Sequence, residues 1–376
     1  MKNRFHRMEW AGAFGDLGTL IPFVVAYISL LDMDPAGMLL AFGVAKTISG
    51  LYYRTPFPVQ PMKAIGTIAT TQAAKTIVLT PSSVYAAGLV TGALWLFLGA
   101  TGLTRRIAEL VPRPVVVGIV LGLGFAFMLQ GIEMMASGWL LSGVALIGTL
   151  LLLAGRTIPV MFLLLVFGAL AAAVQDPELI QQLAAIRPQL HWPTWHVGQL
   201  GWQDMVIGTL FLALPQLPLT LGNAMIAITE ENNRLFPDRP VSEQKASIST
   251  GIMNLCGPLL GGVPMCHGAG GMAGHVRFGA RTGGALIILG VILILVALFL
   301  SDSVTTLLRF FPRPVLGVML FMTGAQLALG SCDFGNTKND RFVSLTVAAF
   351  ALWNIGIAFV FGMVVARLLK QGWVRL

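Results

Sequence analysis

Apolar runs of about twenty residues recur along the whole chain, separated by short breaks rich in polar residues, glycine or proline. A helix needs about 20 apolar residues to cross the hydrocarbon of a bilayer. On that pattern spans are expected near residues 11–31, 35–53, 57–78, 83–103, 113–132, 137–154 and 158–175. After a longer loop come 203–229, 242–259, 262–280, 284–301, 313–331, 341–353 and 355–370, the last two of which also read as one long helix. The expectation is an all-α integral membrane protein of about 14 spans.

Composition supports a membrane setting. The 376 residues are 56% hydrophobic and 11% charged, with a mean hydropathy of +0.81. Soluble domains carry roughly 25% charged residues, so there is too little charge here to cover a water-facing surface. Three cysteines form no disulfide framework in a chain this long. The net charge of +8 comes from basic residues placed singly or in pairs, without a basic stripe interleaved with aromatics, so no nucleic-acid partner is expected.

Those basic residues orient the spans instead. With the N-terminus in the cytoplasm, eighteen fall inside and only Lys75, Arg187, Arg309 and Arg313 outside, while Lys46 and Lys63 lie within spans. That asymmetry places both termini in the cytoplasm of a cell membrane. No small-residue cleavage site follows the basic stretch Met1–Met8, so no removable signal peptide is read.

Two echoes reveal an internal duplication. Pro112-Arg113-Pro114-Val115 returns as Pro312-Arg313-Pro314-Val315, 200 residues later. Pro61-Met62 returns as Pro264-Met265, at an offset of 203. Seven spans per copy is an odd number, so the second copy must be inverted. The expected organisation is residues 1–178 as one repeat, 179–202 as a connecting loop and 203–376 as the inverted second repeat. Inverted repeats with broken helices mark secondary transporters.

The breaks also locate a candidate site. Pro58 and Pro61 forbid a continuous helix through one segment, and Gly261, Gly262 and Pro264 do so in its counterpart. Each break is expected to leave backbone N–H groups at a half-helix start, with the positive dipole end pointing inward. Two such ends meeting near the midplane suit an anion. Candidate binding residues are Gln60, Pro61, Met62 and Lys63 in the first break, and Met265, Cys266, His267 and Gly268 in the second. Cys266 and His267 are expected to open the second half-helix. Lys63 costs roughly 3 kcal/mol to insert alone, so it faces either an anionic substrate or a buried carboxylate such as Asp16. Asp16 itself, flanked by Gly15 and Gly18, reads as a coupling or a structural carboxylate. The matching region of the second half, Pro215–Asn223, offers Gln216, Thr220 and Asn223 as hydrogen-bond donors. The cysteines and histidines show no metal-ligand spacing, and neither metal nor cofactor is expected. Nor is there a nucleophile–base constellation, so no enzyme is expected.

Ala11-Gly12-Ala13-Phe14-Gly15-Asp16-Leu17-Gly18-Thr19, Pro58-Val59-Gln60-Pro61-Met62-Lys63-Ala64 and Pro264-Met265-Cys266-His267-Gly268-Ala269-Gly270-Gly271 resemble the molybdate transporter family, a branch of the sulfate permease superfamily. The resemblance implies fourteen spans in two inverted seven-span repeats, arranged as a core and a gate. It implies third and tenth spans that are half strand and half helix, with substrate bound between them. The sulfate permeases' soluble regulatory domain is not expected. The implied function is secondary transport of molybdate, with proton symport as the expected coupling. A sulfate or broader oxyanion carrier is the alternative reading, and an anion channel a more distant one. Expected partners are the oxyanion and membrane lipid, with a homodimer allowed.

Overall fold

The computed structural model describes residues 2–70, 79–153, 160–193, 198, 200–330, 334–335 and 337–374. Lys75, Arg156, Trp195, His196, Cys332 and Arg375, which enter the sequence reading, lie outside these residues, as does the end of the span expected at 57–78.

The chain is a bundle of helices, and the only sheet among the described residues has two strands of two residues each. The first span runs through α1 (Arg7–Ala13), a 3-10 turn (Phe14–Asp16) and α2 (Leu17–Leu31). Next come α3 (Pro35–Tyr53), β1 (Gln60–Pro61), α4 (Lys63–Thr70) and α5 (Pro81–Ala100). They are followed by α6 (Leu103–Glu109), α7 (Arg113–Met135), α8 (Trp139–Leu153), α9 (Val160–Gln175) and α10 (Glu178–Ala184). The second half opens with one continuous helical stretch over Trp202–Leu235. It consists of α11 (Trp202–Ile207), α12 (Leu214–Leu219) and α13 (Ile228–Leu235), joined by π-helical turns at Gly208–Ala213 and Thr220–Ala227. Pro215 and Pro218 lie between those turns, where their missing N–H groups disrupt the regular ladder. Then follow α14 (Glu243–Cys256), β2 (Met265–Cys266), α15 (Ala269–Arg277), α16 (Gly284–Phe299) and α17 (Val304–Leu308). The chain ends with α18 (Arg313–Gly330), α19 (Lys338–Trp353) and α20 (Ile355–Lys370).

Among the described residues four helices are long and apolar enough to cross a membrane, or six if each of two sharply bent pairs counts as one span. The bends are 110° between Leu163–Gln175 and Glu178–Ala184, and 99° between Gly284–Phe299 and Ser301–Leu308. The loop expected at 179–202 is in part helical, through α10. It then runs beside the end of α16, where Gln189 and His191 donate backbone N–H groups to Phe299 O and Leu298 O.

Close helix pairs organise the interior. α3 packs on α16, α5 on α14 and α7 on α18. Outward positions such as Leu140, Leu151, Leu170 and Val174 leave large apolar side chains exposed. A water-facing surface rarely carries so much of this, and hydrocarbon accepts it.

Candidate functional site

Two crossing strands build the centre. β1 pairs antiparallel with β2, Gln60 opposite Cys266 and Pro61 opposite Met265. The Met62 N–H donates to Pro264 O at 2.8 Å. Each proline thus sits against the methionine that follows the other proline. Proline has no N–H for a ladder, so the pairing stops within two residues and the chain turns into α4 and α15. Asn254 clamps β2 from α14, accepting the Met265 N–H at 2.8 Å and donating to Met265 O at 2.5 Å.

His267 belongs to this scaffold. Its Nδ1 pairs with Pro58 O and its Nε2 with Ser249 Oγ, both at 2.8 Å. Phe57 and Tyr53 pack on its ring. Both ring nitrogens are engaged and the side chain is fully buried, so His267 ties the two breaks together. The second half-helix starts later than the sequence reading had it. Cys266 lies in β2, Gly268 is the extended residue before the helix, and helical geometry begins at Ala269.

The carboxylate of Asp16 lies at the 3-10 turn of the first span, where the backbone departs from α geometry as its flanking glycines allow. It accepts from Gln60 Nε2 at 2.6 Å and from the Thr19 hydroxyl. Gln60 Nε2 also reaches Thr19 Oγ1 at 3.0 Å. The cation facing Asp16 is Lys46 of α3, with Nζ 3.7 Å from Oδ2 and both side chains fully buried. Lys46 Nζ also donates to Val59 O at 2.6 Å. The ion pair considered for Lys63 is therefore made by Lys46. Sequence reasoning had placed Lys46 inside a span but gave it no role. A lysine within a span was itself the signal that a buried partner exists.

Lys63, at the first position of α4, is 9% exposed. Its Nζ stands 4.1 Å from the centroid of the Phe127 ring, a cation–π arrangement. It has no hydrogen-bond partner among the described residues. The residue lines a cavity of about 280 Å³. Thr19, Gln130 and Asn354 bring polar side chains to that cavity; Phe23, Leu123, Leu320 and Trp353 bring apolar ones. Its lining residues come from α2, α4, α7, α12, α18, α19 and the start of α20. Gln130 and Pro22 also border a larger cavity of about 1010 Å³ that reaches Arg309 and Arg313.

The start of α4 is not bare. Gln216 Oε1 accepts the Ala64 N–H at 2.8 Å, while its Nε2 donates to Thr220 Oγ1 at 2.9 Å. Gln216 and Thr220 therefore cap the first half-helix from α12 and the π turn after it. At the second half-helix, Gln60 Oε1 occupies the space where a Cβ on Gly268 would sit, and Asn223 Nδ2 would lie 3.2 Å from that Cβ. Gln60, Asn223 and Gly268 thus meet. Gln60 Oε1 and Asn223 Oδ1 are buried acceptors with no partner among the described residues. The edge of Phe127 lies over Gly270, so this one ring touches both half-helices. Met62, Met265 and Cys266 are buried in the core around the strands. Thr19, Gln130, Phe127 and Asn354 are site residues the sequence reading missed: Gln130 and Phe127 reach the cavity from the regular helix α7, Thr19 from the turn after Asp16, and Asn354 from the break between α19 and α20.

A strand pair leading into two helices, with a buried lysine facing a cavity lined by several helices, defines a multi-pass membrane transporter of the broken-span class. Solved structures share this fold. The chain matches the transmembrane domain of a cyanobacterial bicarbonate transporter, BicA, over 95% of its own length and 99% of that chain, with a TM-score of 0.52 and 17% identity. It matches the murine anion transporter Slc26a9 in its inward-facing state over 100% of its own length and 70% of that chain, with a TM-score of 0.66 and 12% identity. The family described as molybdate transporters of the MFS superfamily matches residues 8–127 and again 208–327, and the chain belongs to that family. Its relatives include molybdate transporter 2 of Arabidopsis thaliana, 33% identical over 94% of this chain and 85% of that protein. Molybdate transporter 1 of Chlamydomonas reinhardtii is 29% identical over 95% of this chain and 90% of that protein. These relatives are named as transporters, and this chain too is a transporter and not an enzyme.

Proposed function

We propose that this protein is a secondary active transporter of molybdate across the cytoplasmic membrane, with both termini on the cytoplasmic side. The observation that carries the reading is Lys63, a buried cation without a hydrogen-bond partner among the described residues, set on a cavity lined by several helices. A tetrahedral dianion supplies the counter-charge that this lysine lacks. The names of the relatives favour molybdate as that dianion.

In this reading the chain is two inverted seven-span repeats. The repeated family match, offset by 200 residues, and the reciprocal pairing of Pro61-Met62 with Pro264-Met265 support it. Spans one to four and eight to eleven form a core that carries substrate past a gate made of the remaining six. Lys63 binds the anion. Thr220, Asn223, Gly268 and the start of α15 shape the site, while Asp16, Gln60 and His267 hold the strand crossing in register. Import of a dianion against an inside-negative potential costs about 2.3 kcal/mol per unit charge per 100 mV, so proton symport supplies the compensating charge.

A broader oxyanion carrier is the second reading, favoured by the anion transporters that share the fold. Uptake of labelled molybdate into proteoliposomes tests both, with wild type beside Lys63→Ala and sulfate as competitor. Saturable uptake that is lost in Lys63→Ala and barely touched by equimolar sulfate supports the molybdate reading. Displacement by equimolar sulfate supports the broader one. Uptake indifferent to a collapsed proton gradient removes the symport.

A further inference from the structure

Lys46, to which the transport reading gives no part, closes a ring of contacts with Asp16, Gln60 and Val59. Lys46 Nζ holds Val59 O at 2.6 Å and faces Asp16 Oδ2 at 3.7 Å. The residue after Val59 is Gln60, whose Nε2 returns to Asp16 Oδ1 at 2.6 Å. Three pieces of chain are thereby tied together: α3, the 3-10 turn of the first span and the extended stretch that leads into Lys63.

Lys46 is fully buried, and it is not among the residues lining the cavity on which Lys63 stands. Its contacts run instead to Asp16 and Val59. Its charge nevertheless matters to that cavity. In a medium of low dielectric constant a bare carboxylate acts over many ångströms, because water does not screen it. Asp16 shares its environment with Thr19 and Gln60, and Thr19 itself lines the cavity. An uncompensated Asp16 would thus place a negative charge beside the site and cancel the attraction of Lys63 for an anion. With Lys46 in place the pair is neutral as a whole, and Lys63 remains as the local excess charge.

We propose that Lys46 is a positioning residue for the anion site: it neutralises Asp16 and anchors the strand ahead of Lys63, so that a dianion meets Lys63 alone. The inference rests on the anion-site reading above and adds a residue to it. It also states that the pair contributes by summing to zero, which a direct ligand would not do.

The test measures equilibrium binding of molybdate to purified full-length protein, with sulfate as a second probe. Wild type is compared with Lys46→Met, Asp16→Asn and the double variant, each checked for folding by its thermal midpoint. Asparagine at position 16 keeps one oxygen that accepts from Gln60, removes the charge and replaces the oxygen facing Lys46 by an NH2 group. The expected result is at least a tenfold weaker Kd for Lys46→Met, recovery to within fivefold of wild type in the double variant, and a tighter Kd for Asp16→Asn than for the double variant, since Lys46 then keeps an uncompensated positive charge near the anion. A folded double variant as weak as Lys46→Met overturns the proposal, as does a folded Lys46→Met that binds like wild type. If Lys46→Met alone does not fold, the double variant decides: retained binding supports charge balance, and lost binding in folded protein overturns it. Wild type that binds sulfate and not molybdate changes the cargo, and the same comparison made with sulfate then decides the pair. Wild type that binds neither overturns the site reading and this proposal together.

Discussion

Gly124 of α7 and Gly324 of α18 press backbone against backbone: a Cβ on Gly324 would lie 2.5 Å from Gly124 O, and one on Gly124 would lie 2.9 Å from Gly324 O. The two residues are 200 positions apart, the same offset at which the family match repeats. Two positions at the repeat offset therefore touch each other. The strand pair obeys the same reciprocity, through Pro61 with Met265 and Met62 with Pro264.

A side chain at this contact should force the two helices apart. Gly324→Val is expected to cost about 1–3 kcal/mol through overpacking, seen as a lowered thermal midpoint in detergent. A midpoint equal to wild type would show that the helices can slide without penalty.

Removing the charge of Lys63 should act on binding before stability. Lys63→Ala loses a buried cation and its contact with Phe127, so molybdate binding should weaken at least tenfold in protein that still folds. Lys63→Arg keeps the charge but offers a planar, larger head in place of a compact point charge. It should retain part of the binding that alanine loses. Equal loss in both would point to shape over charge.

The cap on α4 separates two effects. Gln216→Ala leaves the Ala64 N–H without its acceptor and should cost about 1 kcal/mol of stability, as other N-terminal cap deletions do. Gln216→Glu restores an acceptor at a positive helix end, so the thermal midpoint should stay near wild type. The added negative charge beside Lys63 should weaken molybdate binding. Binding unchanged in Gln216→Glu would place the anion far from the start of α4.

His267 should behave as a strut. His267→Phe keeps the packing on Phe57 and Tyr53 but leaves Pro58 O and Ser249 Oγ without their partner. That should cost about 1–3 kcal/mol, read as a lower thermal midpoint. The pH profile of uptake should keep its wild-type shape, since both ring nitrogens serve the scaffold. A shifted profile would show that His267 exchanges a proton during transport.

Much of this architecture was legible in the chain because breaks in a membrane span carry strong local signals. Pro58, Pro61 and Pro264 stand where the spans break, and the structure turns from strand to helix just beyond Pro61 and Pro264, whereas Pro22 and Pro218 lie inside helices. The glycines around Asp16 marked the departure from α geometry in the same way. Partner choice was less legible. Lys46 and Lys63 are both lysines inside apolar segments, and nothing local says which one meets Asp16. The same limit hid the capping role of Gln216, which reads equally well as a donor to substrate. His267, beside a break, likewise gave no sign that its ring faces Pro58 O and Ser249.

The sequence by itself determined that this is a membrane-spanning chain, where its spans are interrupted and that its two halves echo each other. Those features follow from the length of apolar runs, the chemistry of proline and glycine, and the offset between motifs, all of which are read along one dimension. The tertiary structure alone decided that Asp16 pairs with Lys46, that Lys63 stands at the cavity beside Phe127, and that α7, α18, α19 and α20 line that cavity together with α2, α4 and α12. Those depend on which helices come within a few ångströms of each other. Such contacts join residues tens to hundreds of positions apart, and helix packing selects among several partners of equal local merit.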